Sequence, residues 1–190
     1  YVQRAQKEGY RSRAVYKLKE INDKDRIIRP GMSVLDLGSA PGGWSQVAGE
    51  WVGAHGRMVA SDILPMDTLS DVRFVQGDFT ELETYERIMA ELKNQPLDVV
   101  LSDMAPNTTG HKNTDHLRIM ALVELAYHFA REVLKPDGTF IAKVRQGGAE
   151  NDLLAQMKKD FKTVKHIKPP ASRPESSETY VIALGFRMTV

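Results

Sequence analysis

At 190 residues, with 42% apolar and 27% charged content, the chain can bury one sizeable core and has the make-up of a water-soluble globular domain. No apolar run approaches the ~20 residues of a membrane helix, and zero cysteines exclude disulfides and thiolate metal sites. The net charge of +1 hides a segregation: residues 1–30 carry nine Lys/Arg against four Asp/Glu, residues 158–173 six against one, and residues 31–157 only ten against eighteen. Basic ends around an acidic middle suit a polyanion docked on one face and a cationic ligand at the centre. Either basic segment alone reads equally as a solvated helix surface.

No signal peptide opens the chain, and Tyr1, which is no initiator, implies an upstream segment. Ala14, Val15, Leu18 and Ile21 lie at helical spacing and predict an amphipathic helix over 11–22, which Pro30-Gly31 closes off. Tyr10 and Tyr16 sit among Arg4, Lys7, Arg11 and Arg13. That mixture suits stacking on unpaired bases, with helix packing of Tyr16 as the alternative.

The run Met32–Leu37 reads as a buried parallel strand. It leads into Gly38-Ser39-Ala40-Pro41-Gly42-Gly43, small residues that let the backbone turn tightly and approach a ligand before a helix opens at Trp44. The pattern departs from the GxGxxG dinucleotide fingerprint, and Asp36 before the first glycine suits an ammonium or sulfonium better than a pyrophosphate. An ordinary glycine-rich turn is the plain alternative.

Further strands are predicted at 58–62, 72–76, 99–102, 139–144, 164–167 and 180–184, with helices at 44–52, 81–93, 114–134 and 150–161. This alternation indicates an α/β fold: one domain over 1–190, with a seven-stranded, mostly parallel sheet. The link holding Pro169-Pro170 is too short for a crossover helix, so the last two strands form an antiparallel hairpin at or near a sheet edge. Ligands in such sheets sit beyond the carboxyl ends of the strands. Those ends carry Asp36, Asp62, Asp78 and Asp103. Asp62 follows Gly43 at about the ~20-residue offset at which an acid holds a ribose hydroxyl. Each alone has a structural alternative as a cap or turn former; together they describe a nucleoside-like ligand carrying positive charge.

The glycine turn with its trailing acids resembles an S-adenosylmethionine-dependent methyltransferase of Rossmann-like fold. SRAVYKLKEI around Lys17, SDMAPN around Asp103, IAKVRQG around Lys143 and ASRPESSETYVIALG around Glu178 narrow the match. Together they resemble the FtsJ/RrmJ family of ribosomal RNA 2′-O-ribose methyltransferases, over essentially the whole chain. The resemblance implies a catalytic tetrad of Lys17, Asp103, Lys143 and Glu178. It implies cofactor contacts at Gly42, Trp44, Asp62, Asp78 and Asp103, to which the reading of the residues adds Asp36, Gly38 and Gly43 at the turn and Met66, close enough after Asp62 to cover the adenine. It implies S-adenosylmethionine as cofactor, no metal, and ribosomal RNA as partner, while the basic segments place Arg11, Arg13, Lys168 and Arg173 on the RNA-binding face, with residues 1–30 contributing. A cytoplasmic monomer methylating large-subunit (23S-type) RNA at a uridine is the expectation. The same tetrad also serves tRNA and mRNA-cap 2′-O-methylation, and a non-catalytic RNA-binding module is a further alternative. Arg145 departs from the apolar or aromatic residue expected beside the catalytic lysine.

A hydroxyl is a poor nucleophile, so its methylation calls for alignment and for a group that handles one proton. Lys143, at the end of a buried strand, is expected to have a depressed pKa and to serve as the base. Lys17 is expected to lower it further by like-charge repulsion. Asp103 is expected to orient the amine, and Glu178 to anchor Lys17 or bind a substrate hydroxyl.

Overall fold

The computed structural model describes residues 1–104, 111–145 and 151–187. Ala105-Pro106-Asn107 of SDMAPN, Gln146-Gly147 of IAKVRQG, and Glu150 lie outside the described residues. In chain order the elements are α1 (Val2–Glu8), α2 (Val15–Asp25), β1 (Ser33–Leu37), α3 (Gly43–Val52), β2 (Arg57–Asp62), β3 (Arg73–Gln76), α4 (Leu82–Glu91), β4 (Leu97–Ser102), α5 (Lys112–Val133), β5 (Leu134–Arg145), α6 (Asn151–Asp160), β6 (Phe161–Ile167) and β7 (Glu178–Phe186).

The strands form one seven-stranded sheet in the order β3-β2-β1-β4-β5-β7-β6. Neighbours from β3 to β5 run parallel. Strand β7 is antiparallel to both β5 and β6, so the expected hairpin exists, with β6 on the edge and β7 inserted beside β5. The chain leaves β1 toward β2 and β3, then returns to place β4 on β1's other side. This is the topological switch at which open α/β sheets bind ligands.

Alternation along the strands sorts the side chains into two cores. Leu35, Val100, Phe140, Ala142 and Val181 pack on one face with Ile88, Met120, Tyr127 and Met157 from α4, α5 and α6. Val34, Val99, Leu101, Ile141, Tyr180 and Ile182 pack on the other with Leu18 and Ile21 of α2 and Trp44 and Val47 of α3. Asp36, Asp103, Lys143 and Glu178 share the parity of this second set, so all four project from the face covered by α2 and α3.

Two N-terminal features differ from the sequence expectation. Helix α1 buries only Ala5 among its seven residues, too little apolar signal for periodicity to register. Helix α2 starts at Val15 rather than Arg11 because the chain at 9–14 is bound across the start of α3. There the Trp44 indole N–H donates to the Ala14 carbonyl at 2.8 Å, and the Arg11 backbone N–H donates to Gln46 Oε1 at 3.2 Å. Trp51 is partly buried against the second core.

Candidate active site

The glycine turn hangs on the end of β2. Gly38 and Ser39 backbone N–H groups both donate to the Ser61 carbonyl, at 2.8 and 3.1 Å. Gly38 and Gly42 adopt φ of 72° and 116°, conformations open to glycine and strained for other residues. A Cβ on Gly43 would lie 2.5 Å from Ser12 Oγ and 3.5 Å from the Ser12 backbone nitrogen, so a larger residue there would make the serine hydroxyl turn aside.

Asp62 receives the Ala40 backbone N–H on Oδ2 at 2.8 Å and the Leu64 backbone N–H on Oδ1 at 3.0 Å. It thereby fastens the turn to the chain leaving β2, and each oxygen keeps a second lone pair for a ligand hydroxyl. Asp78 Oδ1 accepts from the Thr80 backbone N–H at 2.9 Å and from its hydroxyl at 2.6 Å, closing a turn after β3. Met66 Sδ lies 3.5 Å from Ser39 Oγ, over the glycine turn.

Asp36 is buried beneath the turn. Its Oδ2 accepts from Ser45 Oγ at 2.8 Å, while Oδ1 is buried with no hydrogen-bond partner among the described residues. An orphan carboxylate oxygen is costly, and it fits a ligand that brings a cationic donor. Burial, only partly offset by Ser45 and reinforced by Asp103 and Asp62, pushes the Asp36 carboxyl up to about 7. Between the ordinary carboxylate range and pH 7 the folded protein therefore holds a proton that the unfolded chain has lost, so stability falls as pH rises through this window. The full loss is on the order of 4 kcal/mol. Denaturant titrations should show the stability of Asp36→Asn gaining on wild type between pH 4.5 and pH 8. A constant difference between the two proteins would contradict the raised pKa.

The four tetrad candidates converge. Lys143, only 8% exposed, places Nζ 3.1 Å from Asp103 Oδ1 and 3.5 Å from Glu178 Oε2. Lys17, on the first turn of α2, feels the charges of Asp103, Lys143 and Glu178. The expectation of a depressed Lys143 pKa is overturned. Burial does press it down, but Asp103 and Glu178 together outweigh burial and hold it above the usual lysine value. Lys17 is the amine shifted downward, by burial first and by the Lys143 ammonium besides, against the opposing pull of Asp103. The anchor expected between Glu178 and Lys17 is formed to Lys143 instead.

Sequence reasoning missed Tyr180. Its buried hydroxyl donates to Asp103 Oδ1 at 2.7 Å, and its ring lies 5.6 Å from that of Trp44. The signal was available: Tyr180 is two residues past Glu178 on a strand, hence on the same face. Arg145 donates to Ser177 Oγ at 2.7 Å and sits 3.9 Å from Asp115, bracing the approach to Glu178.

Two of the four RNA candidates have other partners. Arg11 donates its guanidinium to three backbone carbonyls. Lys168 donates to the Ser176 and Pro174 carbonyls at 2.6 and 3.4 Å, holding the loop that leads into β7. Tyr16 is packed, 2% exposed, with its hydroxyl donating to Glu8 at 3.0 Å and its ring edge-on to Tyr10. Of its two readings, helix packing holds.

Comparison with known proteins gives the family. The FtsJ-like methyltransferase family model matches residues 10–186. A Bradyrhizobium sp. (strain BTAi1) protein named ribosomal RNA large subunit methyltransferase E is 56% identical over 98% of this chain and 82% of its own length. A protein of the same name from Psychrobacter cryohalolentis is 58% identical over 97% of this chain and 88% of its own. A Plasmodium falciparum protein, assigned as a ribosomal RNA methyltransferase, superposes with a TM-score of 0.83 at 30% identity over 93% of this chain and 98% of that one. Turn, acids and candidate tetrad thus stand in a chain that matches these curated relatives over 82–88% of their length, and the protein belongs to the FtsJ-like methyltransferase family.

Proposed function

We propose that the protein methylates a ribose 2′-hydroxyl of large-subunit (23S-type) ribosomal RNA, at a uridine, with S-adenosylmethionine as methyl donor, acting as a cytoplasmic monomer on RNA within the large subunit. The observation that carries this reading is the meeting of two lysines, an aspartate and a glutamate beside a glycine turn that covers an orphaned buried carboxylate. The names of the relatives supply the RNA.

The residues present fit the donor. Asp36 would take its ammonium, Gly38, Gly42 and Gly43 would let the backbone approach it, and Asp62 would accept from the ribose. Asp78 and Met66 would close around the base, Trp44 would meet the donor through its backbone at the start of α3, and Asp103 would lie toward the methyl acceptor. When bound, S-adenosylmethionine supplies an electrophilic methyl group on a sulfonium that leaves as a neutral thioether.

The protein's part is to place the 2′-oxygen in line and to receive its proton. Lys143, held as an ammonium between Asp103 and Glu178, donates to the acceptor oxygen and steadies the charge left on it. Asp103, itself fixed by Tyr180, orients that ammonium. Lys17, whose proton is held less tightly, acts as the neutral amine and takes the proton that the hydroxyl sheds as the new O–C bond forms. Positioning of this kind is worth roughly 7–11 kcal/mol of barrier when the reacting atoms are aligned.

On the RNA side, Arg13 and Arg173 remain as phosphate contacts. Reversing both charges is expected to flatten the dependence of log K on log salt by about 0.7–0.9 per lost contact, with donor affinity intact. A fluorescence titration against a ribosomal RNA fragment at several salt concentrations reads this directly. A wild-type slope in the double variant would move the docking face elsewhere. The function itself is tested by incubating the protein with large subunits, RNA and radiolabelled S-adenosylmethionine, then mapping 2′-O-methyl marks. Label on a base rather than a ribose would overturn the reading.

A further inference from the structure

Arg11 stands where the leader crosses the cofactor turn. Its Nη1 donates to the Pro41 carbonyl at 3.1 Å and to the Asp67 carbonyl at 2.6 Å, and its Nη2 donates to the Thr68 carbonyl at 3.0 Å. Pro41 belongs to the glycine turn. Asp67 and Thr68 belong to the irregular stretch that follows Asp62 and contains Met66. One guanidinium therefore joins two walls of the cleft that are far apart in sequence.

The residue is itself held from behind. Its backbone N–H donates to Gln46 Oε1 at 3.2 Å, and the same amide returns a hydrogen bond from Nε2 to the Gly9 carbonyl at 3.0 Å. Contact at the turn is close: a Cβ on Gly42 would lie 3.1 Å from both Arg11 Nη1 and Met66 Sδ. The planar, multi-donor guanidinium can serve several carbonyls at fixed angles, which a lysine ammonium on a flexible stem cannot reproduce.

We propose that Arg11 is a positioning residue for the methyl donor: it draws the 63–68 stretch against the glycine turn and ties both to the leader carrying Lys17. This rests on the reading that S-adenosylmethionine binds at that turn. The 63–68 stretch has no strand or helix of its own, and Ile63 and Leu64 are 67% and 58% exposed. Its near end is tied by the Leu64 N–H to Asp62 and by Gln76 Nε2 to the Ile63 carbonyl, and its far end, at Asp67 and Thr68, is held by Arg11, so closure of that end over the donor depends on Arg11. The bonds from Arg11 commit three of its five N–H donors to carbonyls and so turn the guanidinium toward the cleft walls rather than toward phosphate. Because Lys17 follows six residues later on the same leader, donor binding and the placement of that amine are set by one connection.

The test is direct binding of S-adenosylmethionine and S-adenosylhomocysteine, without RNA, to wild type, Arg11→Met and Arg11→Lys. Stopped-flow dissociation and calorimetry are the readouts. Arg11→Met is expected to weaken both ligands by about 10–100-fold, mostly through faster release. It should raise the KM for the donor far more than it lowers kcat, and keep the wild-type salt slope for RNA. Arg11→Lys should recover part of the loss and serves as the informative variant if the methionine protein does not fold. Wild-type donor affinity in the folded variants overturns the proposal. A salt slope reduced by about 0.7–0.9 with unchanged donor affinity would assign Arg11 to RNA phosphate instead. Failure of the wild type to bind either ligand would sink the functional reading itself, an outcome separate from equal binding by wild type and variant.

Discussion

Replacing Lys143 by alanine is expected to slow methyl transfer by about 10²–10⁴-fold at saturating donor and RNA, with affinity for both nearly unchanged. The side chain is buried between two carboxylates, so its worth is realised when charge shifts on the acceptor oxygen rather than when ligands dock. The pH dependence separates it from Lys17. Lys143 is held above the ordinary lysine value and stays charged through the neutral and mildly alkaline range. Lys17 is held below that value and deprotonates first. Single-turnover rates should therefore rise with pH along a limb belonging to Lys17, with an apparent pKa below 10.5. That limb should persist, at reduced rate, in Lys143→Arg and vanish in Lys17→Met. The opposite pattern, a limb lost in Lys143→Arg and kept in Lys17→Met, would return the base role to Lys143.

Asp62→Ala is expected to weaken S-adenosylhomocysteine by at least 10–150-fold, the worth of one charged hydrogen bond of about 1.5–3 kcal/mol. A second effect adds to the first. The carboxylate also receives the Ala40 and Leu64 backbone N–H groups, so its removal frees two donors and detaches the glycine turn from the chain beyond β2. Asp62→Asn keeps a single acceptor oxygen for these two donors and should fall between wild type and alanine. Calorimetry at fixed pH reads all three proteins, and unchanged affinity in Asp62→Ala would sink the ribose assignment.

The frame of the fold was legible because burial imposes a period on sequence. The apolar runs at 34–37, 99–102 and 139–144 located three central strands within a residue or two of their cores. The carboxyl ends of β1, β2 and β4 showed where Asp36, Asp62 and Asp103 would come close enough to feel one another's charge. What escaped were long-range choices of partner. Arg11 among aromatics looks the same whether its guanidinium meets phosphate or carbonyls, and its actual acceptors lie 30, 56 and 57 residues away. Burial of Lys143 followed from its strand. The sign of its pKa shift did not, because that depends on Asp103 and Glu178 together outweighing burial, and Glu178 arrives from β7. Helix α1 was invisible for a plainer reason: one buried alanine makes no pattern.

The register of β7 against β5 has a consequence for how this chain tolerates change in length. Lys143 pairs with Tyr180 and Arg145 with Glu178. A slip of one residue would turn Glu178 and Tyr180 through the sheet to the side of α5, leaving Asp103 and Lys143 without either companion. The link between β6 and β7 is fixed as well: Lys168 holds the Pro174 and Ser176 carbonyls, and the Ala171 backbone N–H donates to Glu20, so the chain reaches Glu178 in one register. Insertions and deletions among related sequences should accordingly avoid the stretch that begins at Ala171, and above all the strand that begins at Glu178. From there to the end of β7 the spacing is as much a part of the candidate active site as the side chains it carries.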